Sequence, residues 1–476
     1  MWRWSAAEMA AEIRSKSVSS VEVVTSVLAR AHETNGATNA FGEFMDDALS
    51  SAERADKSLA AGDVRGPLHG VPFASKLNTN LIGLPTPDGV EAYLSTPAFE
   101  TSPVLTNILD GGSINIARSN VPPFSTRWTT ESVHWGITRN PWDPDVTPGG
   151  SSGGAASAVA VGATPFAQGN DIGGSVRYPA AVCGIVGLRT TVGRVPSWFG
   201  SEATGDGLAS QQMSSDGPLA RTVEDLRLAL QVMSRFDPRD PASLDVPAPS
   251  SLRPAARRVA LIIDPGESEF STLPQPECAD AVRTAGQWFV DEGYDVDEVV
   301  MPEFGQMATN WWRLALTEFD QGGMVEEIKR VGDEGINSYI SVTLEAYRRA
   351  FGEISFRDYL AAHQRRHFLM RRMSEFFEEF PLVILPASGE RPFRLGEDIE
   401  SPERAAQMMR NQWPNMGTAG FGLPGVGIGV MATAGAPIGV QVLARPFDET
   451  LALTGAEVIE RRNGIVTPID PRLHQS

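Results

Sequence analysis

Hydrophobic residues recur at helical spacing through the first part of the chain. Between residues 5 and 62, apolar and polar positions alternate with a period near that of an α-helix. Ser19 or Ser20 stands before VEVVTSVLARAHE as a plausible N-cap residue. The pattern therefore predicts a helical N-terminal segment over residues 1–62.

The pattern changes between residues 66 and 200, where short apolar runs alternate with glycine, proline and asparagine. Runs of this kind, bounded by turn residues, are typical of buried strands. They include HGVPFAS, GSINIA and AVCGIVGL. We therefore expect a glycine- and serine-rich core built from short strands over residues 66–200.

Helical and strand patterns alternate through the rest of the chain. Helices are predicted at VEDLRLALQVMSR, at residues 277–292, over a long block at 306–380 and at DETLALTGAEVIERR, which begins near Asp448. Strands are predicted at RVALIID, YDVDEVV and LVILPAS, and twice within GVGIGVMATAGAPIGVQVLARP. This alternation favours an α/β architecture in which helices cover a layered sheet.

Composition and charge narrow the class of protein. The 476 residues would suggest two or three domains on length alone, and 42% apolar with 21% charged residues is ordinary for a globular protein. The formal net charge of −19 would repel nucleic acids and anionic membranes at long range. We therefore predict neither a nucleic-acid nor a membrane partner.

The two cysteines, Cys183 and Cys278, are too few for a disulfide framework and fit a reducing compartment. The first residues contain no uninterrupted apolar core of signal-peptide length, and no apolar run approaches the ~18 residues of a membrane span. The expected location is the cytoplasm.

Two glycine-rich segments each contain a serine in a setting suited to catalysis. Ser151 lies in TPGGSSGGAASAVAVG, and Ser175 follows twenty-four residues later in GNDIGGSVRYPAAVCG. Glycines allow the backbone to present clustered N–H groups, and such clusters stabilise an oxyanion. Ser175, which ends its glycine turn and precedes a helix-like run, is the candidate nucleophile.

A serine nucleophile needs a base, and the histidines offer none in a suitable setting. His69 and His134 lie near the glycine-rich core and are interpreted as packing or substrate-contacting residues. His363 and His367 share a helix face in HQRRH, but the glutamate of HExxH and a clear third ligand are missing. We therefore predict no metal site.

Lys76 is the alternative base. The chain contains thirty-six arginines and only four lysines, and Lys76 stands in the mostly uncharged stretch HGVPFASKLNTNLIG. Burial would lower the pKa of this lysine, and a neutral lysine can accept a proton whereas a guanidinium cannot. The alternative interpretation is an ordinary surface lysine.

Two other motifs compete for the same glycines. The span 149–153 also matches GxSxG, the nucleophile elbow of α/β hydrolases, but no strand directly precedes it and no suitable histidine follows. A phosphate-binding loop would need GKS or GKT, which the sequence lacks.

Taken together, these segments resemble the amidase signature family. The similarity is carried by GVPFASK, GITRNPWDPDVTPGGSSGG, DIGGSVR, YPAAVCGIVGLRTTVGRV, SSDGPLART, LVILPAS and APIGVQVLARPFDE, and it covers nearly the full length. It implies a single α/β/α domain over residues 1–476 around a large mixed β-sheet. This expectation replaces the two or three domains suggested by length.

The resemblance also implies roles for individual residues. Ser175 matches the family nucleophile, Ser151 the bridging serine that follows a cis peptide bond, and Lys76 the base. Asp171 would support the loop. The implied backbone donors of the oxyanion hole are Ile172, Gly173, Gly174 and Ser175.

The sequence departs from the usual family pattern at four positions. Arg118 and Arg189 replace lysines, so those sites tolerate arginine, whereas Lys76 remains lysine. Leu77 replaces a frequent aspartate and Asn170 a frequent threonine, so we expect local geometry and substrate preference to differ from the usual family pattern.

Substrate preference would depend on aromatic residues in variable segments and on the helical block 306–380, which we expect to cover the site. Any one of these aromatic residues could instead belong to the core. Phe124, Trp128, Trp198 and Trp413 are the chief pocket candidates, and Phe199, Trp311, Trp312 and Phe319 are further ones.

The predicted function is hydrolysis of an aryl or hydrophobic acyl amide through an acyl-enzyme. A carbamate or ester hydrolase is the close alternative, since all of these reactions pass through a tetrahedral oxyanion. An inactive binding protein and a glutaminyl-tRNA amidotransferase of the A type remain further alternatives. We expect a small-molecule partner, no cofactor, and a monomer or homodimer.

Overall fold

The computed structural model describes residues 1–198, 206–246, 257–353, 355–431 and 435–473. Within these ranges, an eleven-stranded sheet runs through the molecule in the order β1-β3-β2-β6-β8-β7-β12-β13-β11-β9-β10. Strands β4 and β5 form a separate small hairpin. The strands are β1 Phe41–Phe44, β2 Pro72–Lys76, β3 Ile114–Ser119, β4 Glu131–Ser132, β5 Gly136–Ile137, β6 Phe166–Asp171, β7 Val186–Arg189, β8 Ser215–Ala220, β9 Arg258–Ile262, β10 Asp295–Val299, β11 Leu382–Pro386, β12 Gly425–Met431 and β13 Ile438–Ala444.

Helices flank this sheet. They are α1 Ala6–Arg14, α2 Ser20–Thr38, α3 Ala48–Ala60, α4 Pro103–Asp110, α5 Gly153–Ala160, α6 Arg177–Val182, α7 Leu208–Met213, α8 Val223–Met233, α9 Pro276–Asp291, α10 Pro302–Gln321, α11 Met324–Val331, α12 Glu334–Phe351, α13 Phe356–Glu379, α14 Pro402–Asn411, α15 Trp413–Phe421 and α16 Glu449–Asn463.

The sheet is mixed. At one end β2 pairs in parallel with β3 and β6, and at the other β9 pairs in parallel with β10 and β11. The strands between are antiparallel, including the hairpin of β12 and β13. The predicted single domain around a large mixed sheet is therefore correct, and the two or three domains suggested by length are not.

Small residues allow helices to pack closely against both faces of the sheet. On β13, a side chain at Gly439 would come within 2.7 Å of Ala181 in α6. Val442, three positions along the same strand, lies 2.8 Å from where a side chain at Gly455 in α16 would begin. Because successive strand residues point to opposite faces, α6 and α16 cover opposite sides of β13.

The N-terminal segment is largely helical, as its periodicity predicts, with three helices and a short strand. Ser19 caps α2 in a reciprocal pair with Glu22: its hydroxyl accepts the Glu22 N–H, and the Glu22 carboxylate accepts the Ser19 N–H. The strand β1 joins the sheet edge beside β3, which apolar periodicity at helical spacing did not reveal.

The long helical block consists of four helices, α10 to α13. Gly323, at a φ of 90°, separates α10 from α11, and Gly352, at a φ of 67°, ends α12. The run AVCGIVGL differs from the prediction, since residues 180–182 complete α6 before β7 begins. Among the described helices, none is long and apolar enough to cross a membrane.

Candidate active site

A cavity of about 430 Å³ opens where the carboxyl ends of β2 and β6 lie side by side. Lys76 is the last residue of β2, and Ser175 follows β6 by four residues. Ser151 lies just before α5, and both serines line the cavity. Parallel strands end at the same edge of a sheet, so this pairing brings distant parts of the sequence to one site.

Lys76 is fully buried behind the cavity and has two polar partners. Its Nζ lies 2.7 Å from Ser151 Oγ and donates to Asn170 Oδ1 at 2.7 Å. Burial lowers the pKa of Lys76 to about 7, although the charges of Asp88, Asp216 and Asp171 act to raise it. A lysine in this setting loses its proton far more readily than one at the surface.

The glycine turn before Ser151 is packed against neighbouring backbone. A side chain at Gly150 would begin 2.2 Å from the carbonyl oxygen of Arg127, so only glycine fits there. The peptide bond between Gly150 and Ser151 is cis. The Ser152 N–H donates to the Ser175 carbonyl at 3.2 Å, which holds the two serine loops together.

The loop over residues 172–175 supplies backbone N–H groups, but not all four that the family resemblance implies. Gly174, at a φ of 102°, donates its N–H to Asp171 Oδ1 at 2.8 Å and is therefore already used. The N–H groups of Ile172, Gly173 and Ser175 donate to no atom of the described residues. This corrects the predicted donor set by removing Gly174.

Asp171 organises this loop from beneath. Its carboxylate accepts N–H groups of Gly174 and Val176 and pairs with Arg177 at 2.8 Å and Arg189 at 3.4 Å. Burial opposes ionisation of Asp171, but the two guanidinium charges outweigh it and hold its pKa well below the usual range. The loop therefore rests on a permanently charged carboxylate.

Two tryptophans fasten the same loop from the other side. Trp311 Nε1 donates to the Ile172 carbonyl at 2.8 Å, and Trp128 Nε1 donates to the Gly173 carbonyl at 3.5 Å. The C=O and N–H of one peptide point in opposite directions. Because Trp311 holds the Ile172 carbonyl, the Gly173 N–H is turned away from Trp311.

We call the loops 149–152 and 172–175, together with Lys76, the catalytic wall. The cavity-lining residues of α10, α11 and α12 form what we call the helical wall. The residues of the helical wall are Trp311, Trp312, Leu316, Phe319, Met324, Tyr339, Ile340 and Thr343. It is mostly apolar and aromatic, which suits a hydrophobic substrate group.

Of the four chief pocket candidates, two line the cavity and two do not. Phe124 and Trp128 line the cavity, as do Trp311, Trp312 and Phe319. Trp413 does not, because it is fully buried in the core.

Trp198 is absent from the cavity lining as well and instead packs edge-on against the exposed ring of Phe99. Phe199 lies outside the described residues.

Several polar residues of the cavity escaped sequence reasoning, and three of them form a chain of hydrogen bonds. Asp88 lines the cavity and accepts a hydrogen bond from Ser125 Oγ at 2.5 Å; Ser125 in turn accepts one from Asn78 Nδ2 at 3.0 Å. The signal available was the turn PTPDG, in which Asp88 adopts a φ of 45°, a conformation that aspartate tolerates. Nothing in the sequence showed that this turn meets residues 123–126.

His69 and His134, interpreted from the sequence as packing or substrate-contacting residues, do not line the cavity. His69 is buried with Nε2 3.0 Å from the Ala55 carbonyl, and His134 lies 3.5 Å from Glu91 near the surface. In the described ranges, no group of three or more His, Cys, Asp or Glu side chains is arranged to hold a metal ion.

Nearly the full length of the chain is similar to known proteins. The family model described as Amidase matches residues 22–453. An indoleacetamide hydrolase of Bradyrhizobium diazoefficiens is 36% identical over 98% of this chain and 88% of that protein. The A-type subunit of the glutamyl-tRNA(Gln) amidotransferase from Alkalilimnicola ehrlichii is 31% identical over 94% of each chain.

A solved structure agrees with these matches. The bacterial aryl acylamidase belonging to the amidase signature enzymes superposes with a TM-score of 0.81 at 25% identity, covering 98% of this chain and 97% of that one.

Proposed function

The chain belongs to the amidase signature family and is an amide hydrolase, and from that premise we propose that it hydrolyses aryl or hydrophobic acyl amides with Ser175 as nucleophile. Ser151 is the bridging group and Lys76 is the base. The observation that carries the assignment is the 2.7 Å approach of the buried Lys76 Nζ to Ser151 Oγ at the cavity edge.

In the proposed first step, Ser175 Oγ attacks the amide carbon. Its proton passes to Ser151, whose own proton passes to neutral Lys76. Asn170 Oδ1 accepts an N–H from Lys76, which leaves the nitrogen lone pair free to face Ser151. The carbonyl oxygen becomes an oxyanion, for which the N–H groups of Ile172, Gly173 and Ser175 are the available donors.

Collapse of this intermediate breaks the C–N bond. The leaving nitrogen takes back the proton held on Lys76, by way of Ser151, and the acyl group stays on Ser175 as an ester. Water then attacks the ester with the same proton path, and Ser175 is released with the carboxylic acid product.

The apolar character of the helical wall supports a hydrophobic acyl group. Four of the eight helical-wall residues are aromatic, and their rings offer flat surfaces to an aryl substituent. The relatives point the same way, since one is named an indoleacetamide hydrolase and another an aryl acylamidase. Carbamates and esters remain the close alternative, because their intermediates need the same oxyanion donors.

A second candidate function follows from the amidotransferase relative. An enzyme of that type would release ammonia from glutamine and work with partner subunits on transfer RNA. The net charge of −19 disfavours association with RNA, and an aromatic helical wall is poorly matched to a polar glutamine side chain.

The test is a hydrolysis screen with purified protein over primary amides, p-nitroanilides, carbamates, esters and glutamine. Aryl and arylacetic amides should be hydrolysed with the highest kcat/KM, and Ser175→Ala should abolish turnover while circular dichroism stays unchanged. A fluorophosphonate probe should label the wild-type protein and not the Ser175→Ala variant.

Two outcomes would reject the proposal. Ammonia release from glutamine in preference to every aryl amide would favour the amidotransferase function. No hydrolysis of any panel member, together with no labelling of Ser175, would reject an active hydrolase altogether.

A further inference from the structure

Asp88 is one of two acidic residues, the other being Asp206, that line the cavity within the described ranges. It keeps part of its surface open and belongs to the lining, yet burial raises the pKa of its carboxyl to about 7. Its Oδ1 accepts the Ser125 hydroxyl at 2.5 Å. Within the described part of the chain, Oδ2 accepts no hydrogen bond and neither oxygen contacts a cation.

The turn that holds Asp88 is firmly seated. The Phe124 N–H donates to the Asp88 carbonyl at 2.8 Å, and a side chain at Gly89 would begin 2.7 Å from Pro122. Ser125, which holds the carboxylate, is itself held by Asn78. The carboxylate is therefore fixed in position rather than swinging on a loose loop.

No lining residue in the described ranges offers Asp88 a free positive charge. Arg127 is the only cation among them, and its guanidinium forms a two-point pair with buried Asp398 at 2.8 and 2.9 Å. Lys76 lies behind the lining and must be neutral to act as the base in the proposed mechanism. When Lys76 is neutral, its charge no longer lowers the pKa of Asp88, so burial favours the protonated carboxyl unless a ligand brings a positive charge to it.

A largely buried carboxylate with no positive charge beside it is unfavourable, and a donor N–H or an ammonium supplied by the ligand would lower that cost. A cation on the ligand would also replace the Lys76 proton as the nearest positive charge, and so favour neutral Lys76. The first effect favours binding of such a ligand, and the second favours its reaction. Both occur only when a ligand of this kind is bound.

We propose that Asp88 determines specificity by accepting a hydrogen bond from an N–H group, most strongly an ammonium, on the aromatic or hydrophobic part of the substrate. This inference rests on the proposed function and narrows it to one substrate class: aryl or hydrophobic amides that carry an amino or ring N–H group remote from the scissile bond. Substrates with a carboxylate at that position should be rejected.

The test compares two near-isosteric substrates, 4-(aminomethyl)phenylacetamide and 4-ethylphenylacetamide, built on another aryl scaffold if the screen selects one. The wild-type protein should favour the ammonium substrate in kcat/KM by roughly tenfold to a hundredfold, the range of a charge-assisted hydrogen bond. In Asp88→Asn the preference should fall to near unity or reverse. Asparagine tolerates the positive φ of this position.

The ratio of kcat/KM for the ammonium substrate to kcat/KM for the ethyl substrate is measured on one preparation of each variant. A change in folded fraction, or a general effect on Lys76, alters both substrates equally and cancels. Trp198→Phe is the control, because it changes an aromatic residue outside the cavity and should keep the wild-type ratio. An equal preference in wild type and Asp88→Asn would overturn the inference while leaving the hydrolase intact.

A binding measurement separates this inference from the proposed function. Calorimetric Kd values for the same two amides are compared in Ser175→Ala and in the double variant with Asp88→Asn. Loss of the ammonium preference only in the double variant supports the role of Asp88 even if no turnover is found. No preference in either variant overturns it.

Discussion

The catalytic wall and the helical wall line the same cavity but are built in different ways. The catalytic wall consists of glycine turns at strand ends, where buried Lys76 and Asp171 each have several hydrogen-bonding partners. The helical wall presents side chains from three helices, and the indole nitrogen of Trp312 has no partner within the described ranges. The hydrogen bonds of the catalytic wall hold its backbone and its ionisable side chains in place, whereas the side chains of the helical wall set the shape of the cavity.

Under the proposed function, the catalytic wall carries out the reaction, and the helical wall and the Asp88 turn determine substrate choice. Each wall can be perturbed separately, because their residues come from different parts of the chain. The largest expected effect comes from the base.

Lys76→Arg should reduce kcat/KM by about 10²- to 10⁴-fold, the range supplied by a general base, since a guanidinium stays protonated. The measurement is steady-state kinetics with the best amide of the screen, and circular dichroism checks the fold. Lys57→Arg, at an exposed site on α3, is the matched control and should leave kinetics unchanged. Activity retained in Lys76→Arg would remove the base from the catalytic wall.

The second effect is the pH dependence of wild-type kcat/KM. In the proposed mechanism Lys76 acts only when neutral, and its pKa is lowered to about 7, so activity should be full above this pH and fall as pH drops through it. The decline should approach about tenfold per pH unit on the acid side.

Asp216→Asn sharpens this test. Asp216 is one of three carboxylates, with Asp88 and Asp171, whose charges raise the pKa of Lys76. Removing its charge should move the acid limb to lower pH. A profile that is flat from pH 5 to 8, or a limb that moves to higher pH in this variant, would contradict the assignment of Lys76.

The smallest effect tests the point at which the two walls touch. Trp311→Phe removes the hydrogen bond to the Ile172 carbonyl, which should lower kcat by roughly 5- to 12-fold, equivalent to about 1 to 1.5 kcal/mol, with a smaller change in KM. A fall mainly in kcat indicates that the loop has lost support, whereas a rise mainly in KM would indicate loss of binding surface.

Trp312→Phe is the control for this variant. It removes an indole N–H that has no partner in the described ranges, and it lies next in sequence on the helical wall. Equal losses of kcat in the two variants would show that Trp311 contributes shape alone.

The catalytic wall could be predicted from the sequence more fully than the helical wall. The positions of Ser151 and Ser175 can be predicted because short glycine runs impose the local backbone around them. Lys76 stands out because arginine replaces lysine almost everywhere else. The alternation of elements predicts an α/β architecture, and the family resemblance implies the single domain around a large mixed sheet.

Side-chain direction on long helices is harder to predict. Trp413 and Trp311 look alike in sequence, yet one is buried at 0% exposure in the core and the other lines the cavity. The difference depends on how α10 packs against α15, which is a tertiary contact. Asp88 was missed for the same reason, since its meeting with Ser125 joins two loops that are distant in the chain.

The scarcity of lysine has a practical consequence for chemical labelling. Lys16, Lys57 and Lys329 are exposed, whereas Lys76 is sealed from solvent. An amine-reactive dye therefore has only three accessible side-chain targets. Of these, Lys329 lies on α11, the helix that contributes Met324 to the cavity, so a fluorophore there would sit close to any rearrangement that accompanies ligand entry.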